Sequence, residues 1–143
     1  MPALRLASAA ALALAAAAPP LSAAAGRMAP LTTTEWGQRW AFAQFAPPNP
    51  APRDQGLHER LGCLSTALAQ IMFFHRRCPA GAVDYTAPGF APTAMNFSAA
   101  AGEGLCDWSR FALAPPNSST SPVTAAVARY EYAAALVVRK TWG

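Results

Sequence analysis

The chain has 143 residues, a formal charge of +4 and only 13% charged residues. Its adjacent basic pairs are Arg76-Arg77 and Arg139-Lys140, and no basic stripe interleaved with aromatics is present, so no nucleic-acid partner is implied. Three cysteines and two histidines are too scattered for zinc, and there is no phosphate-cradling glycine loop, so no metal and no cofactor are implied either. So small a share of charge is low for a solvated surface, which suggests a chain partly interior to something larger, or incomplete.

Residues 1–25 read as a targeting segment. Arg5 supplies a basic start, residues 6–18 are apolar except for Ser8, and Pro19-Pro20 stops the run. Ser22-Ala23-Ala24-Ala25 then offers small residues for cleavage. The apolar run is too short to cross a bilayer as a helix, so a cleaved secretory signal and no membrane span are expected. An alanine-rich organellar transit peptide is the alternative, because no acidic residue precedes Glu35. The remainder, residues 30–143, suffices for one small domain.

Thr34 is placed to cap a short helix over residues 35–45. Trp36, Trp40 and Phe45 are expected in the core or in a groove wall. Residues 46–60 form a loop, since Pro47, Pro48, Pro50 and Pro52 forbid helix.

A tight glycine, Gly62, then precedes Cys63. Leu64, Ala67, Leu68, Ile71, Met72 and His75 recur on one helical face, which predicts a largely buried helix starting at Cys63. Ser65 and Thr66 fall in its first turn, where hydroxyls serve orphan N–H groups. The positive end of the helix dipole favours anions, and a thiolate is the nucleophile of cysteine peptidases. On spacing alone, a lone Cys at a helix start is more often a small buried hydrophobe than a nucleophile. Neither histidine is placed to act as its base. His75 lies about 18 Å along the same helix at ~1.5 Å per residue, and His58 would need an unusual loop to come within hydrogen-bond reach.

The run Gly62-Cys63-Leu64-Ser65-Thr66-Ala67-Leu68-Ala69-Gln70-Ile71-Met72 resembles the nucleophile helix of the streptopain-like cysteine peptidases, Gly-Cys-Val-Ala-Thr-Ala-x-Ala-Gln-Ile-Met. Phe73, Phe74, Pro79, Ala80 and Gly81 continue the likeness to the family's aromatics and Pro-x-x-Gly turn. Upstream, Pro30-Leu31-Thr32-Thr33-Thr34-Glu35-Trp36-Gly37-Gln38 is similar to Pro-Leu-Leu-x-Thr-x-Trp-x-Gln, although Ala41-Phe42-Ala43 stands where the family has Pro-Tyr-Asn. Downstream, Trp108 occupies the Trp of a Tyr-x-Trp-x-x-Met segment. Residues 127–143 follow Val-Ala-x-Leu-x-x-x-x-Gly-x-x-Val ending in Tyr-Gly, with Ala135 in place of that glycine. The resemblance runs through residues 30–143 with gaps and breaks off about halfway through the family's catalytic domain.

The resemblance implies an α+β fold: the helical lobe of a papain-like peptidase domain, incomplete, mostly helix and loop with few strands. It makes Cys63 the nucleophile position and a protein or peptide the substrate. The family's base histidine lies far downstream, on a C-terminal lobe missing here. The function expected is that of a secreted cysteine-type endopeptidase, truncated before its catalytic His and inactive alone. A non-catalytic secreted binding module, or an inactive peptidase fragment, is the alternative. Papain-like enzymes often carry an oxyanion-hole Gln upstream of the nucleophile, but the spacing of Gln55 does not match, and a solvated loop amide is the better reading.

Residues 81–116 are loop-rich, with one short edge strand expected at Asp84-Tyr85-Thr86. Asn96 and Asn117 head N-glycosylation sequons, meaningful only on a eukaryotic secretory route. The last element is a helix capped by Ser121, opened by Pro122 and striped by Val123, Val127, Tyr130, Ala134 and Val137. An odd cysteine count leaves one over in an oxidising compartment. A helix between Cys63 and Cys78 would separate them by about 22 Å, against a Cα limit of roughly 7 Å for a bridge. A Cys78–Cys106 disulfide with Cys63 free is the expectation, and three buried thiols is the open alternative.

Overall fold

The computed structural model describes residues 32–50 and 57–142. Its hub is the last helix, α3 (Pro122–Val137), where Ser121 Oγ accepts a hydrogen bond from the Thr124 N–H at 3.3 Å and Pro122 opens the first turn. The Thr124 hydroxyl donates to the Pro116 carbonyl, tying the cap to the preceding loop. Val127, Ala128, Tyr130, Glu131, Ala133, Ala134, Ala135 and Leu136 are all buried. Small alanines let neighbours approach on several sides, and α3 packs against helix α1 (Cys63–Phe74) and the 3₁₀ turns Trp40–Ala43 and Trp108–Arg110. Val127, Tyr130 and Ala134 of the expected stripe are inside, whereas Val137 is 45% exposed.

Tyr130 centres an aromatic cluster. Its ring lies 5.2 Å from Phe111, 5.6 Å from Trp108 and 6.4 Å from Trp36, and Phe73 of α1 closes on Trp36 at 5.0 Å. Offset and edge-on pairs of this kind add to simple area burial. Burial pushes the Tyr130 phenol far above its ordinary range, so it stays a donor, and it donates to the Arg77 carbonyl just beyond α1.

Between α1 and α3 lie a hairpin and a short helix. Strand β1 (Ala82–Tyr85) pairs antiparallel with β2 (Thr93–Asn96), Ala82 opposite Asn96 and Tyr85 opposite Thr93. Val83 and Thr93 point inward. Asn96 then caps α2 (Phe97–Gly102), accepting from the Ala99 N–H at 3.0 Å. Among the described residues, three α-helices and a two-stranded sheet make the fold α+β, with few strands as expected. The edge strand was expected slightly later than β1, and β2 and α2 carry no strong local signal.

Two expectations fail. No helix forms over residues 35–45; the backbone is irregular up to the short turn Trp40–Ala43. Tertiary contacts claim the segment instead: the Glu35 N–H donates to the Leu113 carbonyl at 2.6 Å, and Trp36 Nε1–H to the Ala112 carbonyl at 2.9 Å. Trp36 is buried, while Trp40 and Phe45 are 57% and 40% exposed and line surface clefts rather than the core. The second failure is α1, which is not buried on the face predicted. Ser65, Thr66, Ala69 and Phe73 face inward. Leu64, Ile71 and Phe74 are 68%, 53% and 48% exposed. Leu68 and Met72 of the predicted face are half-buried and pack against the core, so the buried face is rotated from the predicted one rather than opposite to it. Small Ser65, Thr66 and Ala69 take the close approach to α3, with Phe73 reaching the aromatic cluster.

Candidate active site

The site begins at Gly62. Its φ of +83° and ψ of 150° are open only to glycine. Leu61 before it is fully buried, and its N–H donates to the Gln38 carbonyl at 3.1 Å, which anchors the approach. The Thr66 N–H returns to the Gly62 carbonyl at 3.1 Å, closing the first turn of α1. The N–H groups of Cys63, Leu64 and Ser65 therefore have no acceptor within the helix, and the first turn carries no acidic residue. Cys63 heads this turn, free and exposed.

A cleft of about 350 Å³ opens beside it, lined by residues 61–65 on one side and 138–141 on the other. The second wall is the end of α3, where Arg139 N–H donates to Leu136 and Lys140 N–H to Ala135, both at 3.0 Å. These two bonds form a Schellman motif, and they hold Arg139 at φ +48°. Lys140 folds back over Gly62: a Cβ at Gly62 would lie 3.4 Å from its Cε and 3.8 Å from its Nζ. The ammonium donates to the Thr141 carbonyl at 2.8 Å and lies 5.0 Å from the Trp142 ring centroid. Burial lowers the Lys140 pKa from the ordinary lysine range, and nearby Glu59 opposes that shift.

The sequence pattern of the peptidase C10 family matches residues 36–142. The chain belongs to that family. Peptidase C10 is the streptopain family of papain-like cysteine peptidases, which act on proteins. Comparison with curated proteins finds no match.

The other residues singled out in this C10 chain lie elsewhere. His58 holds the Ala46 carbonyl through Nδ1 at 2.7 Å and lines a separate cleft with Trp40, Leu57 and Asn117. His75 caps the far end of α1, exposed, with its ring edge-on to Phe74 at 5.0 Å. Neither lines the Cys63 cleft. Cys78 and Cys106 are joined in a disulfide with a Cα separation of 5.8 Å. Asn96 uses its carboxamide oxygen to cap α2, and that of Asn117 accepts from the Ala41 N–H at 3.3 Å. Gln55 and the targeting stretch 1–25 lie outside the described residues. Among the described residues no group of His, Cys, Asp and Glu is arranged to hold a metal, and no helix is long and apolar enough to cross a membrane.

Sequence reasoning missed Arg139, Lys140 and Thr141 as the second wall of the cleft. The signal was the basic pair just past the last helix, but only the packing of α3 on α1 brings it to Cys63.

Proposed function

We propose that this chain is the nucleophile-bearing lobe of a secreted cysteine endopeptidase. The observation that carries the reading is Cys63, free and exposed at the head of α1, beside unpaired first-turn N–H groups and a substrate-sized cleft. The Cys63 thiolate attacks the scissile carbonyl carbon, and the oxyanion forms next to the Cys63 N–H. Collapse of the tetrahedral adduct expels the amine, which takes a proton from the general acid. Water then attacks the thioester, releasing the acid product and restoring the thiol. The targeting stretch 1–25 supports export, with an organelle as the alternative destination.

The general base is a histidine on a further lobe that packs against this one. His58 is committed to Ala46, and His75 sits at the wrong end of α1. Exposed Leu64, Ile71, Phe74, Val137 and Val138 offer that lobe an apolar surface. The lack of any histidine at Cys63 also favours a second reading, a secreted binding module that does not turn over.

Casein hydrolysis separates the two. The 143-residue chain is expected to be no faster than its Cys63→Ser variant. The protein extended by the coding sequence downstream of codon 143 is expected to cleave casein and to lose that activity with Cys63→Ser. An extended protein that is inactive, or active without Cys63, overturns the peptidase reading. Cys63-dependent turnover by the short chain alone would move the base to His58.

A further inference from the structure

The three α-helices of the described residues end alike. In each, the residue after the C-cap adopts a left-handed backbone and its N–H and that of its successor return to the last turn: Gly104 and Leu105 after α2, Arg76 and Arg77 after α1, Arg139 and Lys140 after α3. Glycine is the residue suited to this position. Arg76, at φ +51°, has an evident use there, since its guanidinium lies 4.3 Å from the Phe73 ring centroid and 5.7 Å from that of Trp108. Arg139, at φ +48°, makes no such ring contact; within the fold it offers only its charge to the C-terminal end of α3. Its side chain is exposed, lines the Cys63 cleft and makes no hydrogen bond, ion pair or ring contact with the described residues.

Arg139 and Lys140 are the charged residues lining the cleft, and no acidic residue lines it. The Lys140 ammonium, poised over Gly62, gives one donor to Thr141 and keeps two. Glu59 offsets part of its charge from outside the cleft lining, while Arg139 has no ion-pair partner among the described residues. The facing wall is the N-terminus of α1, whose dipole has the same sign. A planar guanidinium beside a compact ammonium suits a carboxylate.

We propose that Arg139 and Lys140 form a carboxylate-binding wall of the Cys63 cleft, so that the site selects peptides with an acidic side chain beside the scissile bond. This rests on the peptidase reading for its substrate, but its physical content, a cationic wall at Cys63, does not.

The test alkylates Cys63 in the full chain, disulfide intact, with iodoacetate and with iodoacetamide, which share a leaving group and differ in one carboxylate. The ratio of the two rates cancels the thiolate fraction. We expect the ratio to be about five-fold higher in the native chain than in Arg139→Gly/Lys140→Met, with the gain lost at high salt. Arg139→Gly relaxes its backbone, so the fold survives. Arg76→Gly is the control: it removes the same charge from the same kind of position, about 20 Å along α1, and should leave the ratio unchanged. Equal ratios in native chain and double variant, or an equal loss in Arg76→Gly, overturn the wall.

Peptidyl chloromethyl ketones ending in Glu or Gln extend the test to peptides. The Glu compound should label Cys63 faster, and the double variant should lose the preference. A preference for iodoacetate without one for Glu would assign the wall to a free chain terminus and overturn the side-chain assignment. Alkylation needs no general base, so these results bear on the wall alone, and casein turnover bears on the peptidase reading.

Discussion

α1 and α3 lie against each other and bury themselves in opposite ways. α3 is enclosed along most of its length, with Val127, Tyr130 and Leu136 at 0% exposure. α1 buries two hydroxyl residues, an alanine and one phenylalanine, and leaves Leu64, Ile71 and Phe74 in solvent. Hydrophobicity alone does not choose the inner face of a helix; the surface it must fit does. α3 meets α1 closely at Ser65, Thr66 and Ala69, while Phe73 reaches the aromatic cluster and Leu68 and Met72 stay half-buried at its edge. The consequence is that α1 is held by one face, carries Cys63 at its exposed head and leaves an apolar flank in solvent.

The largest test of that division is the Cys78–Cys106 disulfide, which ties the chain just beyond α1 to the segment before Trp108. With a sequence separation of 28, chain-entropy reasoning assigns the crosslink about 3–4 kcal/mol. A Cys78→Ala/Cys106→Ala variant should lose roughly that much in denaturant unfolding. Hydrogen exchange should rise more in α1 than in α3, because α3 keeps its other neighbours. Equal loss of protection in both helices would erase the distinction between platform and presented helix.

Glu131 tests the platform from inside. It is fully buried on α3, and neither carboxylate oxygen finds a hydrogen-bond partner. Burial pushes its carboxyl up to about 9 from 4.5; the Thr66 hydroxyl of α1, itself unpartnered, lies close enough to oppose part of that shift without completing a hydrogen bond. Between those values the unfolded chain has released this proton and the folded chain retains it. Stability should therefore fall as pH rises through that window and show no contribution from Glu131 below it. Glu131→Gln should remove this slope and stabilise the fold by about 3 kcal/mol at pH 7. Unfolding midpoints measured at pH 5, 7 and 8.5 decide it; parallel losses in native chain and variant would show that Glu131 does not titrate this way.

On α1 itself, the two faces should respond in opposite senses. Ala69→Leu, on the inner face at 0% exposure, should cost about 1–3 kcal/mol by overpacking. Ile71→Ser, on the outer face, should stay within about 0.5 kcal/mol and raise soluble yield by shrinking the apolar patch. A large loss from Ile71→Ser would mean that the outer face is covered in solution.

What the sequence made legible was local. Ser121-Pro122 announces α3 because a cap needs only its own next few residues. Helix length excluded a Cys63–Cys78 bridge. Only the nucleophile position that the resemblance gives Cys63 favoured Cys78–Cys106 over Cys63–Cys106, with three free thiols left open until the structure paired Cys78 with Cys106. The family and the α+β class were legible in the Gly62–Met72 motif. What stayed hidden depends on partners distant in sequence. Periodicity marked an apolar face on α1 but could not say that α3 would take the other one. Trp36 looked like part of a helix until Ala112, far along the chain, claimed its indole. The Arg139-Lys140 pair read only as one of two basic pairs, since nothing local ties it to Cys63.

The smallest effect separates the two arginine-capped ends. A residue with a Cβ in the left-handed region costs on the order of 1 kcal/mol relative to glycine. Arg139→Gly relieves that cost and gives up no contact within the described residues, so it should stabilise the chain by somewhat under about 1 kcal/mol. Arg76→Gly relieves the same strain but loses the guanidinium over Phe73 and Trp108, a contact of about 0.5–1 kcal/mol at such a site. It should come out near neutral. Paired denaturation curves read the difference directly. If both variants gain equally, the stacking of Arg76 contributes nothing. If Arg139→Gly loses stability, Arg139 holds something inside the fold and is not reserved for the cleft.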